Sequence, residues 1–190
     1  MPVYGIVIEG NYDEVALTEL IKKCLSSDVE IIPRPCGGKD RLMNKFPGFL
    51  ELFRYANQGG HVDKVLVIRD ADNKNVAEIL ERMESKIGGR IYPFEVKFVI
   101  IVQALETWLL ADEEAISRVT QSRSGRTVSG VNEDLESIVR PKDRLEQMLS
   151  EARVPYTDKV AEEIARESDI SRIEYRCPKF GEFRQAVIDC

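Results

Sequence analysis

Along the first hundred residues, two hydrophobic rhythms alternate. Val3 to Ile8, Val29 to Pro33, Lys64 to Arg69 and Val96 to Val102 are short, largely apolar runs rich in β-branched residues. Such runs suit strands covered on both faces. Between them, apolar residues recur at helical spacing. Val15, Ala16, Leu20, Ile21, Cys24 and Leu25 predict a helix from about Asp13 to Leu25, capped by Asn11 or Asp13. Leu42, Phe46, Phe49, Leu50, Phe53 and Ala56 predict a second, stopped by Gly59-Gly60. Val76, Ile79, Leu80, Met83 and Ile87 predict a third, stopped by Gly88-Gly89. Strand–helix alternation of this kind predicts right-handed βαβ units, and so an α/β fold with a mostly parallel sheet flanked by helices.

After residue 102 the pattern turns helical. Ala104 to Leu110 reads as a helix, with Trp108, Leu109 and Leu110 as core. Thr120 to Asn132 is rich in Ser, Thr, Gly and Arg and reads as a mobile loop. Beyond Pro141, three groups have helical spacing: Leu145, Met148 and Leu149; Val160, Ile164 and Ala165; Phe180, Phe183 and Val187. The division expected is an α/β core over 1–112 and a mainly helical extension over 113–190, packed on it as one compact domain.

Composition narrows the class. The chain has 190 residues, 43% of them hydrophobic, which is enough for one globular core. No apolar run approaches the roughly 18 residues that cross a bilayer, so no membrane span is expected. Met1-Pro2-Val3-Tyr4 carries no basic leader, which predicts a cytoplasmic protein without a signal peptide. The four cysteines (Cys24, Cys36, Cys177 and Cys190) show no CxxC spacing and read as reduced thiols. His61 is the sole histidine and sits beside Gly59-Gly60 as a loop residue, leaving little material for a Ser-His-Asp triad or a His-rich zinc site. The net charge of −6 argues against nucleic-acid binding by charge alone. It leaves open binding through a cation held by carboxylates, or through local basic patches.

The candidate chemistry follows from strand ends. In an open parallel sheet, ligands bind beyond the carboxyl ends of the strands. Glu9 ends the first strand, and Asp70 and Asp72 follow the third. If those strands are neighbours, three carboxylates meet at one edge, a donor set suited to a hard divalent ion. Asp70 and Asp72, two apart on an extended segment, would project to the same side. A second reading has the same spacing: acidic residues after strands cap helices, and Asp72 or Asn73 can cap the next one. Glu106 is a fourth acidic candidate, either a further ligand or a first-turn helix glutamate. Lys39 and Arg41 lie in a connector with Gly37-Gly38, where amides and basic side chains can cradle phosphate; a solvated turn is the alternative. Arg123, Arg126 and Lys142 form a second basic set. Cys177-Pro178 has no thiol or histidine partner nearby in sequence and reads as packing.

An apolar strand ending in Glu9-Gly10 before a helix, and another ending in Asp70-Ala71-Asp72, resemble the signature of Toprim domains, found in topoisomerases, bacterial primases and OLD-type nucleases. More closely, the chain resembles a Toprim-like family of unknown function found in prokaryotes. That likeness extends through Gln103-Ala104-Leu105-Glu106-Thr107-Trp108-Leu109-Leu110-Ala111-Asp112, Pro141-Lys142, Tyr156-Thr157-Asp158-Lys159 and Cys177-Pro178-Lys179-Phe180. The resemblance implies a Toprim/Rossmann-like core, Glu9 as general acid/base, and Asp70 and Asp72 as ligands of Mg2+ or Mn2+, with Glu106 beside them. Gly10, Lys39 and Arg41 are the candidates for phosphate or substrate contacts. The implied activity is phosphoryl transfer or phosphodiester cleavage on nucleic acid. The alternative is a non-catalytic module working with a partner ATPase. Arg69, directly before Asp70, departs from the apolar or small residue more usual there. A haloacid-dehalogenase phosphatase would carry its DxD after the first strand, and a receiver domain a lysine after its last; neither pattern is present.

Overall fold

The computed structural model describes residues 1–25, 28–56 and 62–189. Strands β1 (Val3–Ile8), β2 (Glu30–Pro35), β3 (Lys64–Asp70) and β4 (Glu95–Ile101) form one sheet in the order β2-β1-β3-β4. Each pairing is parallel. Helices α1 (Asn11–Leu25), α2 (Lys39–Ala56) and α3 (Val76–Ile87) make the crossovers. The fold is therefore α/β with an all-parallel sheet, as the alternating pattern predicts.

Side chains alternate across the sheet, so each strand feeds two cores. Tyr4, Ile6, Ile8, Leu66, Ile68, Val99 and Ile101 face one side, where they pack with α1. The same apolar cluster continues into α4 (Leu105–Leu109), α5 (Glu113–Ser124), α6 (Pro141–Glu151), α7 (Asp158–Glu167), α8 (Ile170–Arg176) and α9 (Phe180–Ile188). Trp108 anchors it, with ring centroids 4.9 Å from both Phe180 and Phe183. Val7, Val65 and Val67 face the other side, under α2 and α3. Gly5 is required there: a Cβ on it would sit 2.7 Å from the ring of Phe53.

Two boundaries differ from expectation. The stretch Thr120 to Asn132 is not all loop, because α5 runs to Ser124 before Gly125 ends it in the left-handed conformation at φ 72°. Its buried residues Ala115, Ile116, Val119 and Thr120 keep helical spacing beneath a polar surface. α2 begins at Lys39, so the Gly37-Gly38 connector is shorter than predicted. The Gly59-Gly60 stop and His61 lie outside the described residues, as does Cys190. The other three cysteines are free and buried. Cys177 packs against Thr107, and burial pushes its thiol up to about 12.

At the open edge, the amides of Glu30 and Cys36 donate to the carbonyls of Pro2 and Ile8. Even-numbered residues of β2 thus bond inward to β1, and Pro33 and Pro35 take outward-facing positions. At the far end of the sheet, the buried Lys64 donates to the carbonyls of Ala186 and Val187 (2.9 and 3.2 Å) and to that of Asp189, satisfying the C-terminus of α9. No helix among the described residues is long and apolar enough to cross a membrane.

Candidate functional site

Adjacent parallel strands β1 and β3 bring Glu9 and Asp70 together at the carboxyl edge of the sheet. The Asp70 amide donates to Glu9 Oε1 at 3.2 Å. The Glu9 carbonyl accepts from the amides of Gly37 and Gly38, both at 2.7 Å. Desolvation raises the Glu9 carboxyl to about 7, with Asp13 and Asp72 adding repulsion; the Asp70 amide and Arg69 pull the other way. Asp70 is held well above the ordinary carboxyl range, first by burial and then by the charges of Asp13, Glu9, Glu106 and Asp72. Its carboxylate accepts no hydrogen bond among the described residues, whereas Glu9 has the Asp70 amide.

Asp13 belongs to this group. It sits in the first turn of α1 and accepts from the Gly10 amide at 2.9 Å, one half of a capping box. Burial, then the charge of Glu106, raises it to about 6, against the hydrogen bond from Gly10. Local pattern offers Asp13 only as a helix cap; its place among the other carboxylates depends on α4, nearly a hundred residues away.

The extended DxD expectation does not hold. β3 ends at Asp70, and the amides of Ala71 and Asp72 donate to the carbonyls of Ile101 and Gln103. Asp72 and Asn73 then take left-handed φ of 49° and 64° in a tight turn closed by Lys74 N–H to Ala71. Asp and Asn tolerate that region better than other non-glycine residues. Asp72 therefore leaves the strand's side-chain alternation and pairs with Lys39 Nζ at 2.9 Å. It does not cap α3. Asn75 does, accepting from the amides of Ala77 and Glu78.

Glu106 lies in the first turn of α4, as the helix-start reading expects. It also accepts a hydrogen bond from Tyr156 at 3.0 Å, and its charge acts on both Asp70 and Asp13. Lys142 Nζ lies 5.7 and 5.8 Å from the ring centroids of Tyr12 and Tyr156. The Gln103–Asp112, Pro141-Lys142 and Tyr156–Lys159 motifs thus converge here. Tyr156 carried no role in the sequence reading beyond its motif, because nothing local says which carboxylate it meets.

The phosphate candidates separate. The Gly10 amide is engaged by Asp13, and those of Gly37 and Gly38 by the Glu9 carbonyl. Lys39 is held by Asp72, and Arg41 lies against Gly37. The basic set Arg123, Arg126 and Lys142 does not gather. Arg123 forks onto Glu163 at 2.7 and 2.8 Å, and Arg126 reaches the Glu151 carbonyl. Arg69 is 3% exposed and lies 3.9 Å from Glu9.

The donor chemistry suits Mg2+ or Mn2+: every candidate is a carboxylate oxygen, and the half-buried Asp70 carboxylate has no hydrogen-bond donor among the described residues. The cage is not drawn together in this arrangement, since no group of three or more His, Cys, Asp or Glu among the described residues is placed to hold an ion. Asp72 is turned to Lys39, and Glu9 to the Asp70 amide.

No curated protein and no solved structure matches the chain. A match to a family of unknown function takes in every candidate residue above. Residues 8–188 match the domain of unknown function DUF4276, and the chain belongs to that family.

Proposed function

We propose that the chain is a Toprim-like, Mg2+- or Mn2+-dependent nuclease or phosphotransfer enzyme acting on nucleic acid. The observation that carries this reading is the half-buried, mutually repelling set of carboxylates around Asp70 at the carboxyl edge of a parallel sheet. Asp70 and Asp72 would hold the cation, with Glu106 and Asp13 beside them. When bound, it supplies charge stabilisation at phosphoryl oxygens. Glu9, with a carboxyl near 7, can take a proton from an attacking water at neutral pH and return it to the leaving oxygen. Tyr156 fixes the Glu106 carboxylate by its hydrogen bond. A cytoplasmic location accords with the free thiols of Cys24, Cys36 and Cys177.

The second reading is a non-catalytic module acting with a partner ATPase. The Lys39–Asp72 pair favours it, because it occupies a carboxylate that the enzyme reading needs. Purified protein, assayed on single- and double-stranded DNA and on RNA, decides between them. The enzyme reading expects cleavage with Mg2+ or Mn2+, none in chelator, and a loss of at least a hundredfold in Asp70→Asn. Inactivity across the panel, with biological function intact in Asp70→Asn, establishes the module.

A further inference from the structure

Arg69 is the residue that the arrangement above leaves without a function. Its side chain is 3% exposed, and its Nε and Nη1 are buried with no hydrogen-bond partner. Burying a guanidinium is costly unless it is paired and hydrogen-bonded. Its one ion pair among the described residues is with Glu9, at 3.9 Å, beyond hydrogen-bond length. The same Glu9 oxygen already accepts from the Asp70 amide. Arg69 is thus an embedded cation with spare donors, at a strand end where ligands bind.

Its surroundings share its sign. Side-chain alternation along β3 puts Arg69 on the face of Val65 and Val67, the side covered by α2. α2 starts there at Lys39, and Leu42 N–H to the Gly38 carbonyl is its first helical bond. An 18-residue helix presents the positive end of its dipole at that start. Glu9 ties the three together: its carbonyl holds Gly37 and Gly38, and its carboxylate acts electrostatically on Lys39 and pairs with Arg69. The edge is therefore two-sided, with Asp13, Asp70 and Glu106 toward α1 and α4, and Arg69, Lys39 and the α2 N-terminus on the opposite face.

We propose that Arg69 and Lys39 form an anion subsite that receives a phosphodiester group of the substrate. A guanidinium offers five N–H donors, and charge-assisted bonds to phosphate are among the strongest available to it. The phosphate would supply the partners that Nε and Nη1 lack. Lys39 reaches it by exchanging Asp72, an ion pair whose side chains are 43% and 38% exposed and which is therefore weakly held. The nucleic-acid identity of the ligand rests on the function proposed above; the anion subsite itself does not.

The test needs neither cation nor cleavage. Intact protein in chelator is melted against inorganic phosphate and, separately, against octathymidylate, with chloride matching the ionic strength. Both ligands should raise the melting temperature of the parent. Arg69→Met should bind each at least tenfold more weakly, yet melt no lower than the parent without ligand, because it removes a buried charge whose Nε and Nη1 make no hydrogen bond. Arg69→Lys should keep part of the response. Lys39→Met, at a half-exposed position that does not threaten the fold, should weaken it severalfold. No response in the parent, or an equal response in Arg69→Met or Lys39→Met, overturns the subsite. So does an Arg69→Met protein that melts well below the parent while Arg69→Lys melts with it, since Arg69 would then be a structural counter-ion of Glu9. A response to phosphate but not to octathymidylate overturns the phosphodiester assignment. A protein that binds both but cleaves nothing refutes the nuclease and leaves the subsite standing.

Discussion

The amide of Asp70 donates to the carboxylate of Glu9 across 3.2 Å, so the ends of β3 and β1 are fastened through the two residues to which the proposed function assigns its chemistry. The bond favours the ionised form of Glu9 while burial opposes it, and burial prevails. Asp70 lends its backbone to Glu9 and keeps its own carboxylate free of hydrogen bonds among the described residues, which is the arrangement expected of a ligand rather than of a cap.

Neutralising Asp70 should stabilise the cation-free protein. Its carboxyl is held well above the ordinary range, so ionising it works against the fold. Asp70→Asn is therefore expected to leave the melting temperature little changed at the ordinary value of 3.8 and to raise it increasingly as pH climbs above it. A relief of about 1 kcal/mol corresponds to roughly 2–4 °C in a chain of this size. Millimolar Mg2+ should raise the parent's melting temperature, more so as pH rises, and Asp70→Asn much less. Equal Mg2+ responses in the two proteins would remove Asp70 from the site.

The pH dependence of stability has a definite sign. Glu9 is raised from its ordinary 4.5 to about 7, and Asp13 from 3.8 to about 6. Each binds its proton more tightly in the folded chain. Its contribution is complete below the unfolded value and lost as pH climbs through the folded one. Melts in chelator should show a component of stability lost between about pH 4 and pH 7. Glu9→Gln should remove the upper part of that loss and Asp13→Asn the lower. Carboxyl NMR titration of the cation-free protein, with a Glu9 midpoint near its ordinary 4.5, would contradict this.

Capping and site chemistry separate cleanly in the loop after β3. Asn75 accepts from two amides of α3, and Asp72 from none. Asn75→Ala should cost about 1 kcal/mol. Asp72→Ala loses only a half-exposed ion pair and should cost less than about 0.5 kcal/mol. Urea titrations read both. A larger loss in Asp72→Ala would restore it as a structural residue.

Tyr156→Phe deletes the hydroxyl that Glu106 accepts and nothing else. The loss of one charge-assisted bond predicts about 1.5–3 kcal/mol at neutral pH. Urea titrations read the loss, and a cost below about 0.5 kcal/mol would mean that the hydroxyl does not hold the carboxylate.

The parallel sheet was legible because its strands are short apolar runs and its crossovers are amphipathic helices. The adjacency of β1 and β3, and so of Glu9 and Asp70, followed from that topology. The backbone at Asp72 was misread as extended because Asp72 and Asn73 are residue types that accept left-handed backbone as readily as they suggest ligands. α5 was obscured by a Ser- and Arg-rich surface, although Ile116 and Val119 hold the helical period. Asp13 meets Asp70 and Glu106, and Tyr156 meets Glu106, only across 50 residues or more, which no window of sequence contains. Arg69 stood out as a departure from the motif, but its burial and its idle donors are properties of the packed sheet.

The prolines of β2 bear on the solubility of the chain. An exposed strand edge is a template on which another chain can build, and it recruits through its outward amides. On β2 those positions are Ile31, Pro33 and Pro35, and a proline has no amide hydrogen to offer. A single outward donor remains, too few to start a ladder. Growth of the sheet from molecule to molecule is thus blocked at this edge by residues that cost the inward pairing with β1 nothing. Replacing both prolines with valine would leave the monomer's own hydrogen bonds intact and open the edge to self-association.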